Sequence, residues 1–209
     1  MVISDDNFYY SAYSDGYLIG NQTSIPTNGL KNLNLVDCII PSQFQGKTVH
    51  GFGYRCFYAA PNITRVYIPK TVTIFKGDTF VYCKKLEEIH FEDGFKDVYL
   101  AHYTFHSSGI KSFRFPLGST LSYSFFSYSP IKNIYIYDMT SYQVDNIFEG
   151  CFQELNILVP INYPFDSFGN RTVKKVLPFY VYTKSSCIIR ANFLKLNFVE
   201  VMPFIVMIL

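Results

Sequence analysis

Apolar residues recur along the chain with a period of about 23 residues. One copy reads Phe57, Ala60, Ile63, Val66 and Ile68, and the next copy reads Phe80, Cys83, Leu86, Ile89 and Phe91. The phenylalanine column continues through Phe105, Phe126 and Phe148, at spacings of 25, 21 and 22 residues. Such a repeat unit cannot bury its apolar face alone, so neighbouring units must stack. The pattern therefore predicts a rod-like stack with like side chains above one another.

Each copy ends in a short segment where apolar and polar residues alternate, which is typical of a strand with one buried face. The inward pairs are Val66/Ile68, Ile89/Phe91, Phe113/Phe115, Ile134/Ile136 and Ile157/Val159. Proline follows at Pro69, Pro116 and Pro160, where its missing amide hydrogen stops a strand. A further column, five residues before each phenylalanine, is Phe52, Phe75, Leu100, Leu121 and Gln143, whose last member breaks the pattern.

Residues 68–91 resemble the BspA-type leucine-rich repeat, whose pattern is roughly I-P-x-x-V-x-x-I-x-x-x-A-F-x-x-C-x-x-L-x-x-V. The spacing Leu86-x-x-Ile89-x-Phe91 matches the strand segment of leucine-rich repeats. The third and fourth copies lack one residue and the fifth has one extra. The resemblance implies a leucine-rich-repeat solenoid of the α/β horseshoe class, dominated by β-structure. It would be a right-handed stack of about five repeats of 21–25 residues, with a parallel β-sheet on one face.

The repeats divide the chain into three predicted regions. Residues 1–35 are expected to form an N-terminal cap, with a β-hairpin over Tyr9–Ile19 that turns at Asp15-Gly16. Residues 36–160 hold the repeats, and residues 161–209 form a C-terminal cap and an apolar tail. We expect an exit loop over 161–170, a strand on the last repeat over 176–183, and a cover for the open end over 188–209. The alternatives for the tail are a membrane-peripheral segment or a cut-off piece of a longer protein whose next domain is absent.

The strand alternation also predicts an outward face made of two columns of side chains. The candidate partner-binding residues are Arg65, Tyr67, Glu88, His90, Arg114, Asn133, Tyr135 and Leu158, with Ser112 and Asn156 between them. Tyrosine and arginine are the side chains that most often anchor interfaces. The alternative is that these residues only cover a solvated sheet.

Composition and motifs narrow the function further. The chain is 49% apolar and 16% charged, with a net charge of +2. This near-neutral balance disfavours general electrostatic binding to nucleic acid. The longest apolar run is too short for a transmembrane segment. The five cysteines lack the close spacing of zinc ligands: they are Cys38, Cys56, Cys83, Cys151 and Cys187. We expect them to be reduced thiols in the core. His102 and His106 are expected in turns, so no metal, cofactor or catalytic group is predicted.

The sequence therefore predicts a non-catalytic module that binds a protein or a glycan. The resemblance implies an adhesin that binds a host or extracellular-matrix protein; an intracellular scaffold or a regulatory arm of a larger protein is the alternative. Sequons at Asn21, Asn62 and Asn170 fit export, whereas the lack of a recognisable signal peptide fits the cytoplasm or an unconventional route of export. The resemblance favours the cell surface or secretion. The ligand and the oligomeric state stay open.

Overall fold

The structure is a computed structural model that describes residues 2–21, 29–136 and 146–176. Within these ranges the chain forms short β-strands joined by turns, with no α-helix. The strands are β1 Val2–Ser4, β2 Tyr9–Tyr13, β3 Gly16–Ile19, β4 Asp37–Ile39, β5 Gln43–Phe44, β6 Lys47–Phe52, β7 Arg65–Ile68, β8 Ile74–Phe75, β9 Glu88–Phe91, β10 Tyr99–Leu100, β11 Ser112–Arg114, β12 Thr120–Leu121, β13 Asn133–Tyr135, β14 Asn156–Pro160, β15 Ser167–Phe168, β16 Arg171–Thr172 and β17 Lys174–Val176.

The main strand of each repeat lies on one face of the stack. Strands β4, β7 and β9 form one parallel sheet, and β11, β13, β14 and β17 form another. The register pairs Val66 with Ile89 in the first sheet. In the second sheet it pairs Ile134 with Phe113 and with Ile157. The predicted leucine-rich-repeat solenoid with a parallel sheet on one face is therefore confirmed, although this face is divided between β9 and β11.

The division falls where the length of the repeat changes. Phe80 precedes its inward strand residue Ile89 by nine positions, whereas Phe105 precedes Phe113 by eight. The reverse change, between Phe126 and Phe148, leaves β13 paired with β14, so this offset alone does not explain the break. Packing continues across the break, because the Phe91 and Phe113 rings are 5.9 Å apart between centroids.

A second set of strands lines another side of the stack. Strands β6, β8, β10 and β12 pair in parallel, so Phe52, Phe75, Leu100 and Leu121 follow one another in register. The first three of these side chains are fully buried. The column predicted five residues before each phenylalanine is confirmed as far as Leu121, and Gln143 lies outside the described residues.

The phenylalanine column forms the core of the stack. The ring centroids of Phe57 and Phe80 are 4.9 Å apart, those of Phe80 and Phe105 are 5.4 Å apart, and those of Phe105 and Phe126 are 5.9 Å apart. Phe148 continues the column at 6.0 Å from Phe126. These neighbours are stacked within 13° of parallel. The predicted column is confirmed as a continuous aromatic stack.

Left-handed backbone positions flank each of these phenylalanines. The residues two before and two after the ring have φ between 52° and 67°: Arg55, Ala59, Asp78, Tyr82, Tyr103, Ser107, Ser124, Tyr128, Asn146 and Gly150. This geometry turns the chain so that the buried amides of Phe57 and Phe80 find acceptors in the next repeat. The amide of Phe57 donates to the Thr79 carbonyl at 2.9 Å, and that of Phe80 donates to the Thr104 carbonyl at 2.8 Å.

The buried cysteines fit between the turns of this stack. Cys38, Cys56, Cys83 and Cys151 are free and buried, as predicted, and Cys187 lies outside the described residues. The Cys83 thiol donates to the Phe57 carbonyl at 2.9 Å, and the Cys151 thiol donates to the Phe126 carbonyl at 3.1 Å. Burial raises the pKa of Cys83 to about 12. Each of these two thiols thus satisfies a backbone oxygen of the preceding repeat.

The predicted N-terminal hairpin is present over β2 and β3, but its turn differs. The two-residue loop is Ser14-Asp15, with Ser14 at φ 51°, rather than Asp15-Gly16. Gly16 already belongs to β3, where a Cβ atom would lie 2.1 Å from the Thr48 carbonyl oxygen. The glycine is needed for this close approach to β6. Strand β3 pairs in parallel with β6, so the hairpin extends the second set of strands.

The segment after Pro160 contains more structure than an exit loop. Strands β15 and β16 pair as a hairpin, and β17 then pairs in parallel with β14. The added strand begins at Lys174, before the predicted start at 176, and residues 177–183 and 188–209 lie outside the described residues. The division of the chain at 35/36 and 160/161 stays a prediction.

Candidate functional site

The first half of the predicted face lies on β7 and β9. Parallel pairing sets Arg65 beside Glu88 and Tyr67 beside His90, all of them exposed. The rings of Tyr67 and His90 stack at 4.8 Å with an interplanar angle of 13°. The His90 Nε2 atom is 2.8 Å from a Glu88 carboxylate oxygen. These contacts hold two flat rings and their charged neighbours on a rigid sheet.

Arg65 also forms a two-pronged ion pair with Asp37 of β4. Its Nε and Nη2 atoms donate to the two carboxylate oxygens at 2.7 Å and 3.0 Å. The hydrogen bond from Arg65 holds the pKa of Asp37 below its usual value. Both side chains are about half exposed, so the pair fixes the position of the guanidinium more than it stabilises the fold.

The second half of the face lies on β11, β13 and β14 and is less exposed. Arg114, Asn133, Tyr135 and Leu158 are only partly accessible. The Arg114 guanidinium carbon is 5.9 Å from the centre of the Tyr135 ring, and Tyr135 pairs with Leu158 in the strand register. The register brings together the residues that the alternation predicts, but the break after β9 separates them into two patches. Their role in binding stays a prediction.

A second surface, which sequence reasoning missed, lies at the turns around the phenylalanine column. We call it the turn-face aromatic cluster; it consists of Tyr58, Tyr82, His102, Tyr103, His106, Tyr123 and Tyr128. Its rings form a connected series of contacts with centroid distances from 5.3 to 5.7 Å. Tyr82, Tyr123 and Tyr128 are 42%, 50% and 52% exposed. Burial among the rings lowers the pKa of His106.

This cluster has no fixed column in the sequence. Tyr58 and His106 come one residue after the core phenylalanine, whereas Tyr82 and Tyr128 come two residues after it. The signal available was the general excess of aromatic residues, 19% of the chain. The alternating offsets meet only when the repeats are stacked.

The described residues hold no group of three or more histidine, cysteine or acidic side chains that could bind a metal ion. His102 and His106, four residues apart, contact aromatic rings. His102 stacks on Tyr123 at 5.3 Å, and His106 packs edge-on against Tyr128 at 5.5 Å. Within the described residues, no helix has the length and apolar character needed to cross a bilayer.

The stacked repeats and their exposed faces define a repeat solenoid that presents surfaces for binding. The family model described as "BspA type Leucine rich repeat region" matches residues 50–174 in six copies. The chain therefore belongs to the BspA-type leucine-rich repeat family, and its class is that of a repeat module for protein interaction.

A solved structure supports this fold. The leucine-rich repeat protein of T. pallidum matches with a TM-score of 0.64 at 20% identity, covering 84% of this chain and 82% of that one. A leucine-rich cell surface protein of Faecalibacterium prausnitzii A2-165 matches with a TM-score of 0.48 at 17% identity, covering 76% and 54% of the two chains. No curated protein matches the chain.

Proposed function

We propose that this chain is a non-catalytic interaction module, placed at the cell surface or secreted, that binds a host or matrix protein. The predicted binding residues on the sheet face form its docking surface. Arg65, Tyr67, Glu88 and His90 are its centre, because they are the most accessible members of the set. Family membership supports the assignment as an interaction module. The exposed stack of Tyr67 on His90 is the observation that supports the sheet face as the docking surface.

The mechanism is rigid display. The strands that carry these side chains are held by the buried core, and the Arg65–Asp37 pair already fixes the guanidinium. A surface that is ordered before it binds loses little conformational entropy in the complex. Such a face needs no reacting group, which is why the proposal is a non-catalytic one.

The test is a capture experiment with the full chain on host-cell extract and on extracellular-matrix proteins. A protein captured by the chain is then titrated against the variant Arg65→Ala/Tyr67→Ala/His90→Ala. We expect binding to weaken at least about tenfold, since interface anchors commonly cost about 2 kcal/mol or more when truncated. Tyr99→Ala is the matched control, because Tyr99 is 49% exposed but lies on β10, away from this face.

Equal affinity of the triple variant and the parent chain would refute the sheet face as the docking surface. The sheet patch Arg114→Ala/Tyr135→Ala is measured beside it and is expected to have the smaller effect, because these side chains are only partly exposed. Fractionation of the native source tests the compartment. Recovery in the cytosol with cytosolic partners would favour an intracellular scaffold instead.

A further inference from the structure

An open groove of about 380 Å³ lies at the turns, beside the turn-face aromatic cluster. It runs from Lys84 of the second repeat to Phe152 and Gln153 of the fifth, and Tyr128 belongs to both the groove and the cluster. Ligand sites in proteins have volumes of roughly 300 to 1,000 Å³. None of the residues that line the groove belongs to the sheet face, so a ligand bound here does not depend on the function proposed for that face.

Two exposed aromatic rings line this groove. Phe152 is 92% exposed, which is unusual for a phenylalanine in a chain that buries its repeat-column rings. Tyr128 is 52% exposed, and its ring lies over Gly150, where a Cβ atom would come within 2.4 Å of it. The glycine therefore lets the tyrosine ring lie against the backbone of the next repeat. Water solvates both ring faces poorly, so a ligand that covers them is favoured.

Polar side chains also line the groove. Lys84 and Gln153 are exposed and supply an ammonium and an amide. Ser108 and Ser129 lie at the positions where cysteine occupies the second and fifth repeats, but they are only 3% and 4% exposed. The Lys84 Nζ atom lies 5.5 Å from the centre of the Tyr82 ring, and the described residues place no carboxylate in an ion pair with it.

We propose that this groove binds a carboxylate-bearing sugar at the end of an oligosaccharide. The apolar face of a pyranose ring covers Phe152 and Tyr128, and its hydroxyl groups bond to the Gln153 amide and the Tyr128 hydroxyl. The sugar carboxylate pairs with Lys84. Interface anchors of protein partners commonly occupy well-packed, fully desolvated pockets. This groove is instead open, and it sets exposed aromatic rings beside an ammonium and an amide, which suits a ligand with one apolar face and polar edges.

The test uses the full chain with sialyllactose as the probe and lactose as its neutral counterpart, with binding measured by calorimetry and ligand-observed NMR. We expect the parent chain to bind sialyllactose several-fold more tightly than lactose, in line with one partly exposed charge pair. Phe152→Ala should weaken both sugars about tenfold, the size of one lost aromatic contact. Lys84→Gln should reduce sialyllactose binding to that of lactose.

Tyr99→Ala and the sheet-face triple variant are expected to bind both sugars as the parent chain does, which separates this groove from the sheet face. Failure of the parent chain to bind either sugar at millimolar concentration overturns the proposal, and so does unchanged binding by Phe152→Ala. Sedimentation is measured in parallel. A dimer that Phe152→Ala dissociates would show that a second copy of the chain fills the groove, and the sugar proposal would fail.

Discussion

Removal of one ring from the middle of the phenylalanine column is the strongest test of the stacked core. Phe105 is fully buried, with Phe80 and Phe126 stacked on its two faces at 5.4 Å and 5.9 Å. Truncation of a buried phenylalanine to alanine costs about 3–5 kcal/mol. Whole domains are stable by only about 5–15 kcal/mol. We therefore expect Phe105→Ala to remove about a fifth of the stability or more.

Urea unfolding followed by circular dichroism measures this loss. With a slope of about 2 kcal/mol per molar urea, the midpoint of Phe105→Ala should fall by about 1.5–2.5 M. Phe152→Ala is the matched control, because it deletes the same atoms from a ring that is 92% exposed. Its stability should change by less than about 0.5 kcal/mol. Equal shifts for the two variants would refute the stacked core.

Pairs of substitutions test whether neighbouring rings interact directly. Phe80→Leu and Phe105→Leu change adjacent rings, and we expect their combined effect to depart from the sum by about 0.5–1.5 kcal/mol. Phe57→Leu and Phe126→Leu change rings that do not touch, and their effects should add within about 0.5 kcal/mol. Additivity in both pairs would show that the rings fill space without specific stacking.

The remaining predictions concern the thiols, one glycine and one histidine. N-ethylmaleimide at neutral pH should leave the four buried cysteines unlabelled in the native chain and label them in urea, because burial raises their pKa values. Peptide mass spectrometry measures the labelling, and labelling of Cys83 in the native chain would contradict the prediction. Gly51→Ala should destabilise the chain by about 1–3 kcal/mol in urea, because its Cβ would lie 2.0 Å from the Ile74 carbonyl oxygen; an unchanged midpoint would refute this contact. Burial lowers the pKa of His106 in the folded chain. The neutral ring therefore contributes fully to the folding stability above its unfolded-state pKa of about 6.5, and this contribution is lost as the pH falls through the folded-state pKa. His106→Phe should therefore lose less of its melting temperature between pH 7 and pH 5 than the parent chain, and parallel curves would contradict the assignment.

Fixed spacing explains which features the sequence could predict. Phe57, Phe80 and Phe105 stack because each repeat must return the chain to the same place, so a regular offset in sequence becomes a column in space. The same reasoning predicts the strand register that sets Tyr67 beside His90. A period in the sequence records the buried contacts, since burial restricts which residue can occupy each offset.

Features that depend on changes in repeat length could not be predicted in this way. The break between β9 and β11 falls where the path after the phenylalanine becomes one residue shorter, but the reverse change between β13 and β14 leaves that ladder intact. Phe152 lies in the turn of the fifth repeat, which has one extra residue, and the ring is exposed there. The spacing of the repeats shows that a residue has been inserted or deleted. Three-dimensional packing decides which part of the repeat changes its structure as a result.

The loop around Gly94 shows what unequal repeats permit. Two additional residues precede Tyr99 compared with the equivalent segment before Ile74, and they are accommodated without moving the Phe105 ring out of the stack. A Cβ atom added at Gly94 would meet nothing within 4 Å. A foreign peptide could therefore be inserted at this point and presented on the surface while the packing of the core stays unchanged.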